Sequence, residues 1–173
     1  DPAFCRALRR SGCAMLKLGL ESGDQGVLDR LDKGIDLAMA ARALQNLREA
    51  GIGVYLYLLF GTPAEDEAAA RRTLTFVRHH HQAITFLNLA VFNMPLGGEE
   101  AATHGTGPFY AGDLSLYTDF RHPAGWGRQQ VRRFLADEFN RDPAVAAILR
   151  RDPPLFTSNH APLFATCLAA PPS

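Results

Sequence analysis

No run in the 173 residues is long and apolar enough to span a bilayer, and the start has no charged head followed by an apolar leader. Neither a membrane anchor nor a secretory route is expected. Cysteine is scarce: Cys5, Cys13 and Cys167 are too few and odd in number for a disulfide framework, which favours a reducing, cytoplasmic setting. Charge of one sign is not in excess, since 18 basic residues offset 18 acidic ones. No field therefore draws the chain to nucleic acid or an anionic membrane. The small clusters Arg9-Arg10 and Arg150-Arg151 read as solvated helix ends. A glycine-rich phosphate loop, a nucleophile elbow and a zinc-binding helix signature are missing too. So is any repeat beyond a strand–helix unit.

What is present is a globular composition, 47% hydrophobic and 21% charged, in a length that can bury a real core. Three apolar runs stand out: Met15 to Leu20, Val54 to Phe60 and Ile84 to Phe92. Continuous apolar runs suit parallel strands covered on both faces. Between the first two, Leu37, Ala40, Ala41, Leu44, Leu47 and Ala50 recur at helical steps, with Asp36 placed to cap and Gly51 placed to end the helix. A shorter helix is expected from Asp24 to about Leu31. Thr62-Pro63-Ala64-Glu65 reads as a capping box opening the next helix, through Ala70, Leu74 and Val77. Strand and helix alternation of this length predicts parallel pairing with right-handed crossovers. Three such strands make an incomplete α/β scaffold, half of a barrel or of a doubly wound sheet, with bare edges that favour self-association. After Pro95 the pattern breaks into an irregular stretch holding Phe109, Tyr110, Tyr117, Phe120 and Trp126, whose rings either fold as a lid over the strand ends or plug the barrel bottom or cover an edge strand. Helices follow at about 127–139 and 144–150. The proline-rich tail from Pro153 is expected to be irregular.

In parallel α/β folds ligands gather at the carboxyl ends of the strands. That rule selects Glu21-Ser22-Gly23, Gly61-Thr62-Pro63 and Asn93-Met94-Pro95-Leu96-Gly97. Glu21 and Ser22 offer a carboxylate and a hydroxyl for a ligand's diol or ammonium, or Ser22 or Asp24 caps the next helix while Glu21 is solvated. Gly61 either admits a flat ring or simply makes the turn. Asn93 serves a ligand or its own turn. Glu65 is explained by its cap. His79, His80 and His81 point about 100° apart in turn on a helix and cannot converge on one ion.

The segment Leu8 to Leu28, with Gly19-Leu20-Glu21-Ser22-Gly23-Asp24 at its centre, resembles the fourth-strand segment of radical S-adenosylmethionine (radical SAM) enzymes. Leu31-Asp32-Lys33-Gly34 resembles the turn that follows it. Ala50 to Val54 and Phe60-Gly61-Thr62-Pro63-Ala64-Glu65 resemble the fifth strand and its end. Asn93-Met94-Pro95-Leu96-Gly97 resembles the end of the sixth. The likeness covers about residues 4–98, is closest to the group that often carries an upstream cobalamin-binding domain, and leaves the remainder as a C-terminal extension. It divides the chain into the C-terminal half of the barrel, residues 1–98, and the extension, residues 99–173.

The resemblance implies the C-terminal half of a partial (βα)6 TIM-like barrel, whose missing half is its partner. In the family a three-cysteine motif binds a [4Fe–4S] cluster that cleaves S-adenosylmethionine to a 5′-deoxyadenosyl radical, which abstracts hydrogen from a substrate, here of unknown identity. By likeness Glu21 and Ser22 meet the ribose or methionyl end of the cofactor, while Phe60, Gly61, Phe92 and Asn93 flank its adenine. Cobalamin would be added by an upstream domain. No C-x₃-C-x₂-C and no glycine-glycine-glutamate motif stands in this chain. Both belong upstream, so the chain alone is expected to be inactive. Two other readings fit the pattern without the likeness: half of a non-radical (βα)8 barrel enzyme, and a non-catalytic α/β interaction domain.

Overall fold

The computed structural model describes residues 1–108, 116–153, 156–157 and 159–169. Its centre is a parallel sheet of three strands, β1 (Met15–Glu21), β2 (Gly53–Phe60) and β3 (Phe86–Val91), in the order β1-β2-β3. Helix α1 (Pro2–Arg10) precedes the sheet, and α2 (Gln25–Arg30) and α3 (Leu37–Glu49) cross from β1 to β2. Helix α4 (Glu67–His80), closed by a 3₁₀ turn, crosses from β2 to β3. Asp36 caps α3 by accepting from Met39 N–H, as its position predicts. Gly51 ends α3 at φ 69°, where its N–H reaches Arg48 O and that of Ile52 reaches Leu47 O. A side chain at Gly51 would strain this double closure.

The strands alternate two different faces. Val54, Leu56, Leu58 and Phe60 of β2 point into the main core, beside Leu44 and Leu47 of α3 and Leu74 and Val77 of α4. Tyr55 and Tyr57 point the other way, with Met15 and Phe86. Register fixes the rows on this second face: Lys17 lies beside Tyr55, Gly19 beside Tyr57, and Tyr57 beside Asn88.

The described residues from Glu99 on pack onto both faces. A small antiparallel sheet, β4 (Met94–Pro95), β5 (Gly105–Pro108) and β6 (Tyr117–Phe120) in the order β4-β6-β5, follows β3, with α5 (Glu99–His104) leading into β5. These elements lie in the stretch expected to be irregular; the strands are too short for sequence periodicity to reveal. Helix α6 (Arg128–Phe134), continued by a π turn to Phe139, and α7 (Pro143–Leu149) match the two expected helices. They put Val131, Phe134, Phe139, Val145 and Ile148 into the main core. Arg78 of α4 donates to Asp142, whose other oxygen caps α7 at Ala144 N–H. Burial alone would raise the Asp142 carboxyl, but Arg78 and the capping N–H groups outweigh it and hold it below its ordinary value.

The tail corrects the expectation of irregular structure. Helix α8 (Ala161–Ala169) lies against the second face, where Ala161 and Ala165 are buried with Tyr55 and Phe86. Pro162 falls in its first turn, where a missing N–H costs no hydrogen bond. Among the described residues no helix is long and apolar enough to cross a membrane.

Phe60 is fully buried between Phe139, ring centroids 5.3 Å apart, and Phe134, 6.3 Å apart. Phe60→Ala should therefore cost about 3–5 kcal/mol in a denaturant titration. A loss below about 1 kcal/mol would mean that the extension does not close this core.

Candidate functional site at the strand carboxyl ends

Parallel order brings the ends of β1, β2 and β3 to one rim. Phe92 N–H donates to Phe60 O at 2.8 Å, which ties the last two ends together. At the first end the chain reverses sharply around Glu21. Its φ is 68°, and Ser22 N–H closes a three-residue turn onto Leu20 O at 2.9 Å. A non-glycine residue in this turn carries strain on the order of 1–3 kcal/mol, a cost concentrated at functional sites. The turn folds the Glu21 carboxylate back over Gly19, with Oε1 2.9 Å from where a Gly19 Cβ would stand. Its ion-pair partner is Lys33, at 3.6 Å.

Ser22 has a different place. It is fully buried, and its hydroxyl accepts from Asp24 N–H. Thr73 gives its own proton to Ala69 O and accepts from Gly23 N–H, so Ser22 Oγ donates to Thr73. A Cβ on Gly23 would come within 2.7 Å of Thr73 Cα. Ser22 and Gly23 thus join β1 to α4, and Asp24 caps α2 through Val27 N–H.

At the second end, the Phe60 ring belongs to the core and offers nothing to the rim. Gly61 has φ 80°, and a Cβ there would meet Val131 of α6 at 3.1 Å, so its bareness serves the turn and the extension. Glu65 overturns the capping-box expectation. Helix α4 starts two residues later, with Asp66 accepting from Ala69 N–H. Thr62 to Glu65 form a turn instead, Glu65 N–H to Thr62 O, and the Glu65 side chain reaches back past Thr62. Its Oε2 accepts from Gly61 N–H at 2.5 Å and from Trp126 Nε1–H at 2.9 Å. Among the described residues Glu65 Oε1 and Thr62 Oγ1 are buried without a partner. Burial pushes the Glu65 carboxyl up to about 7; the Gly61 and Trp126 donors oppose this, and Asp66 and Asp24 add to it. Beside it His122 Nε2–H donates to Thr62 O, while Nδ1 accepts from the N–H groups of Ala124 and Trp126.

At the third end, the Phe92 ring meets Phe120 edge-on at 5.7 Å, and Asn93 Oδ1 accepts from Arg128. Phe120 and Trp126 thus come to the strand ends, whereas Phe109 and Tyr110 lie outside the described residues. The three histidines are occupied separately: His79 Nδ1 with Thr75 O, His81 Nδ1 with Arg78 O, and the His80 ring against Phe76.

Of the six residues selected from sequence, Glu21 alone presents a charged group at the rim. The buried group of Glu65, His122 and Trp126 was missed. Its one sequence signal is the chain's single tryptophan, and nothing local links that to Glu65. No family model matches the sequence, and no curated protein matches it.

The Glu65 geometry carries a definite pH dependence. With the carboxyl raised from 4.5 to about 7, the folded state holds a proton that the unfolded state has released. Its contribution is full below about 4.5 and is lost as pH rises through about 7, a change on the order of 3 kcal/mol. Glu65→Gln keeps an oxygen for both donors and cannot ionise. Thermal melting from pH 5 to 8 should show the variant gaining on the parent as pH rises. Parallel curves would mean that Glu65 does not titrate in this range.

Proposed function

We propose that this chain is the C-terminal half of a radical SAM barrel, which supplies the cofactor-facing rim and acts only with an upstream half. The observation that carries the reading is Glu21, a strained left-handed residue that turns a carboxylate over the end of the first parallel strand. Support also comes from the second sheet face, whose half-buried Tyr57 and Asn88 suit a barrel interior better than open solvent. On this reading β1, β2 and β3 are the fourth, fifth and sixth strands. The edge of β1 that faces away from β2 would pair with the third.

The residues present fit S-adenosylmethionine at one end. Glu21 keeps carboxylate lone pairs beyond its contact with Lys33, so it can accept from a ribose diol or an ammonium group. Gly61 and Asn93 are held in place behind it by Glu65 and Arg128. The residues present do not fit the cluster. Cys5 is buried on α1 and Cys13 precedes β1, opposite the end that bears Glu21. The cluster ligands would lie upstream, where the cluster supplies the electron that the reaction needs. The role of this chain is to orient the cofactor and exclude water.

The test is calorimetric titration of the complete, cluster-loaded protein with S-adenosylmethionine. A charged hydrogen bond is worth about 1.5–3 kcal/mol, so Glu21→Ala should bind about ten- to a hundredfold more weakly. Glu21→Gln should lose less. Alanine shares glutamate's strain at positive φ, so the comparison isolates the carboxylate. Unchanged affinity in Glu21→Ala would remove the assignment.

A further inference from the structure

At the end of the sheet opposite Glu21, the amino ends of β2 and β3 border a cleft of about 380 Å³. That volume falls within the range of small-ligand pockets. It is separate from the rim, because the eight residues of β2 between them extend roughly 25 Å. Four polar side chains from four places in the chain line it. They are Arg48 in the last turn of α3, Gln82 in the 3₁₀ turn after α4, Thr85 just before β3 and Arg151 after α7. Among the described residues no acid lines the cleft.

Each of the four has a donor to spare. Arg151 departs from the solvated helix end that its sequence suggests. It is half-buried, and its Nη1 donates to Ile84 O at 2.9 Å, which fixes the guanidinium across the start of β3. Its other nitrogens have no partner among the described residues, and neither do the side chains of Arg48 and Gln82. Thr85 Oγ1 accepts from Val54 N–H at 3.0 Å, so its proton is left for another acceptor. Competing acceptors nearby are taken. Gly51 and Ile52 N–H close on Arg48 O and Leu47 O, and Glu49 is held by Gln45 at 2.7 Å. Asp152 pairs with neither arginine, and burial raises its carboxyl above the ordinary value.

The floor is bare at the point where a side chain would close it. Gly53 lies outside the left-handed region, so its backbone does not demand glycine. A Cβ there would stand 3.1 Å from Ala165 Cβ and 3.2 Å from Thr85 Oγ1, pressing on α8 and covering the hydroxyl.

We propose that this cleft binds the phosphate group of a small phosphate monoester. Such a group carries a charge of about −1.5 to −2 at pH 7 and offers three acceptor oxygens. Two guanidinium groups match the charge, and their forks suit the oxygens. A carboxylate, with one charge and two oxygens, would leave donors unused. The site is independent of the rim and stands whether or not the barrel reading holds.

The test is titration of the ¹⁵N-labelled 173-residue chain, at fixed ionic strength, with inorganic phosphate, methyl phosphate or succinate. Nitrogen–proton spectra read the Gly53 and Thr85 amides and the Arg151 Nε–H. Both phosphates should move all three signals saturably. Arg48→Gln, a change at an exposed position, should weaken that affinity about tenfold or more, while its spectrum without ligand overlays the parent's elsewhere. Arg151→Lys keeps a charge and a donor for Ile84 O but loses the fork, and should weaken binding too. Movement that does not saturate, or an Arg48→Gln affinity equal to the parent's, would overturn the proposal. So would succinate binding as tightly as phosphate, because the cleft would then be a general anion patch.

Discussion

A parallel strand leaves two faces to be covered, and nearly everything in this chain answers that requirement. On one face the crossover helices α3 and α4 do the covering, joined by α6 and α7 from the second half of the sequence. On the other, α8 returns from the far end of the chain to lie on Tyr55 and Phe86. It stops short of the Gly19–Tyr57–Asn88 row, so the uncovered part of the sheet is also the part over which Glu21 folds its carboxylate. The polar groups sit where the covering ends.

The second half of the chain is therefore bound into the first. Glu65 is the clearest link, because one oxygen holds both the turn after β2 and the indole of Trp126. His122 repeats the connection through Thr62 O, and Arg128 through Asn93. Two of the three loops at the strand ends, those after β2 and β3, thus take their shape from residues 122–128. A change in that short segment would be felt at the rim without touching a ligand. Glu65 gives this link a sensitivity to protons, since a buried carboxyl near 7 changes state within the physiological range.

Features set by neighbours in sequence were legible from sequence. The whole of α3 was readable, with its Asp36 cap, apolar stripe and terminal Gly51, because each signal acts within one or two turns. The three parallel strands were readable from their apolar runs. Glu65 was misread because Thr62-x-x-Glu65 satisfies a local rule, while the partner that decides its role lies 61 residues away. Ser22 was open for the same reason, its hydroxyl being fixed by Thr73, 51 residues on. The α8 segment was masked by its prolines, whereas its docking depends on Tyr55 and Phe86, which no local pattern connects to it. Local chemistry thus located the rim but could not separate rim from joint.

The central claim is that β1 is an interior strand of a larger sheet, seen here with one neighbour. Hydrogen exchange across Met15–Glu21 tests this most directly, comparing the isolated chain with the complete protein. In the isolated chain the amides that face away from β2 should exchange quickly, while those bonded to β2 are protected. In the complete protein both sets should be protected, as a third strand takes up the free edge. If the outward amides of β1 exchange equally fast in both, no strand pairs there, and the sheet of three is the whole sheet.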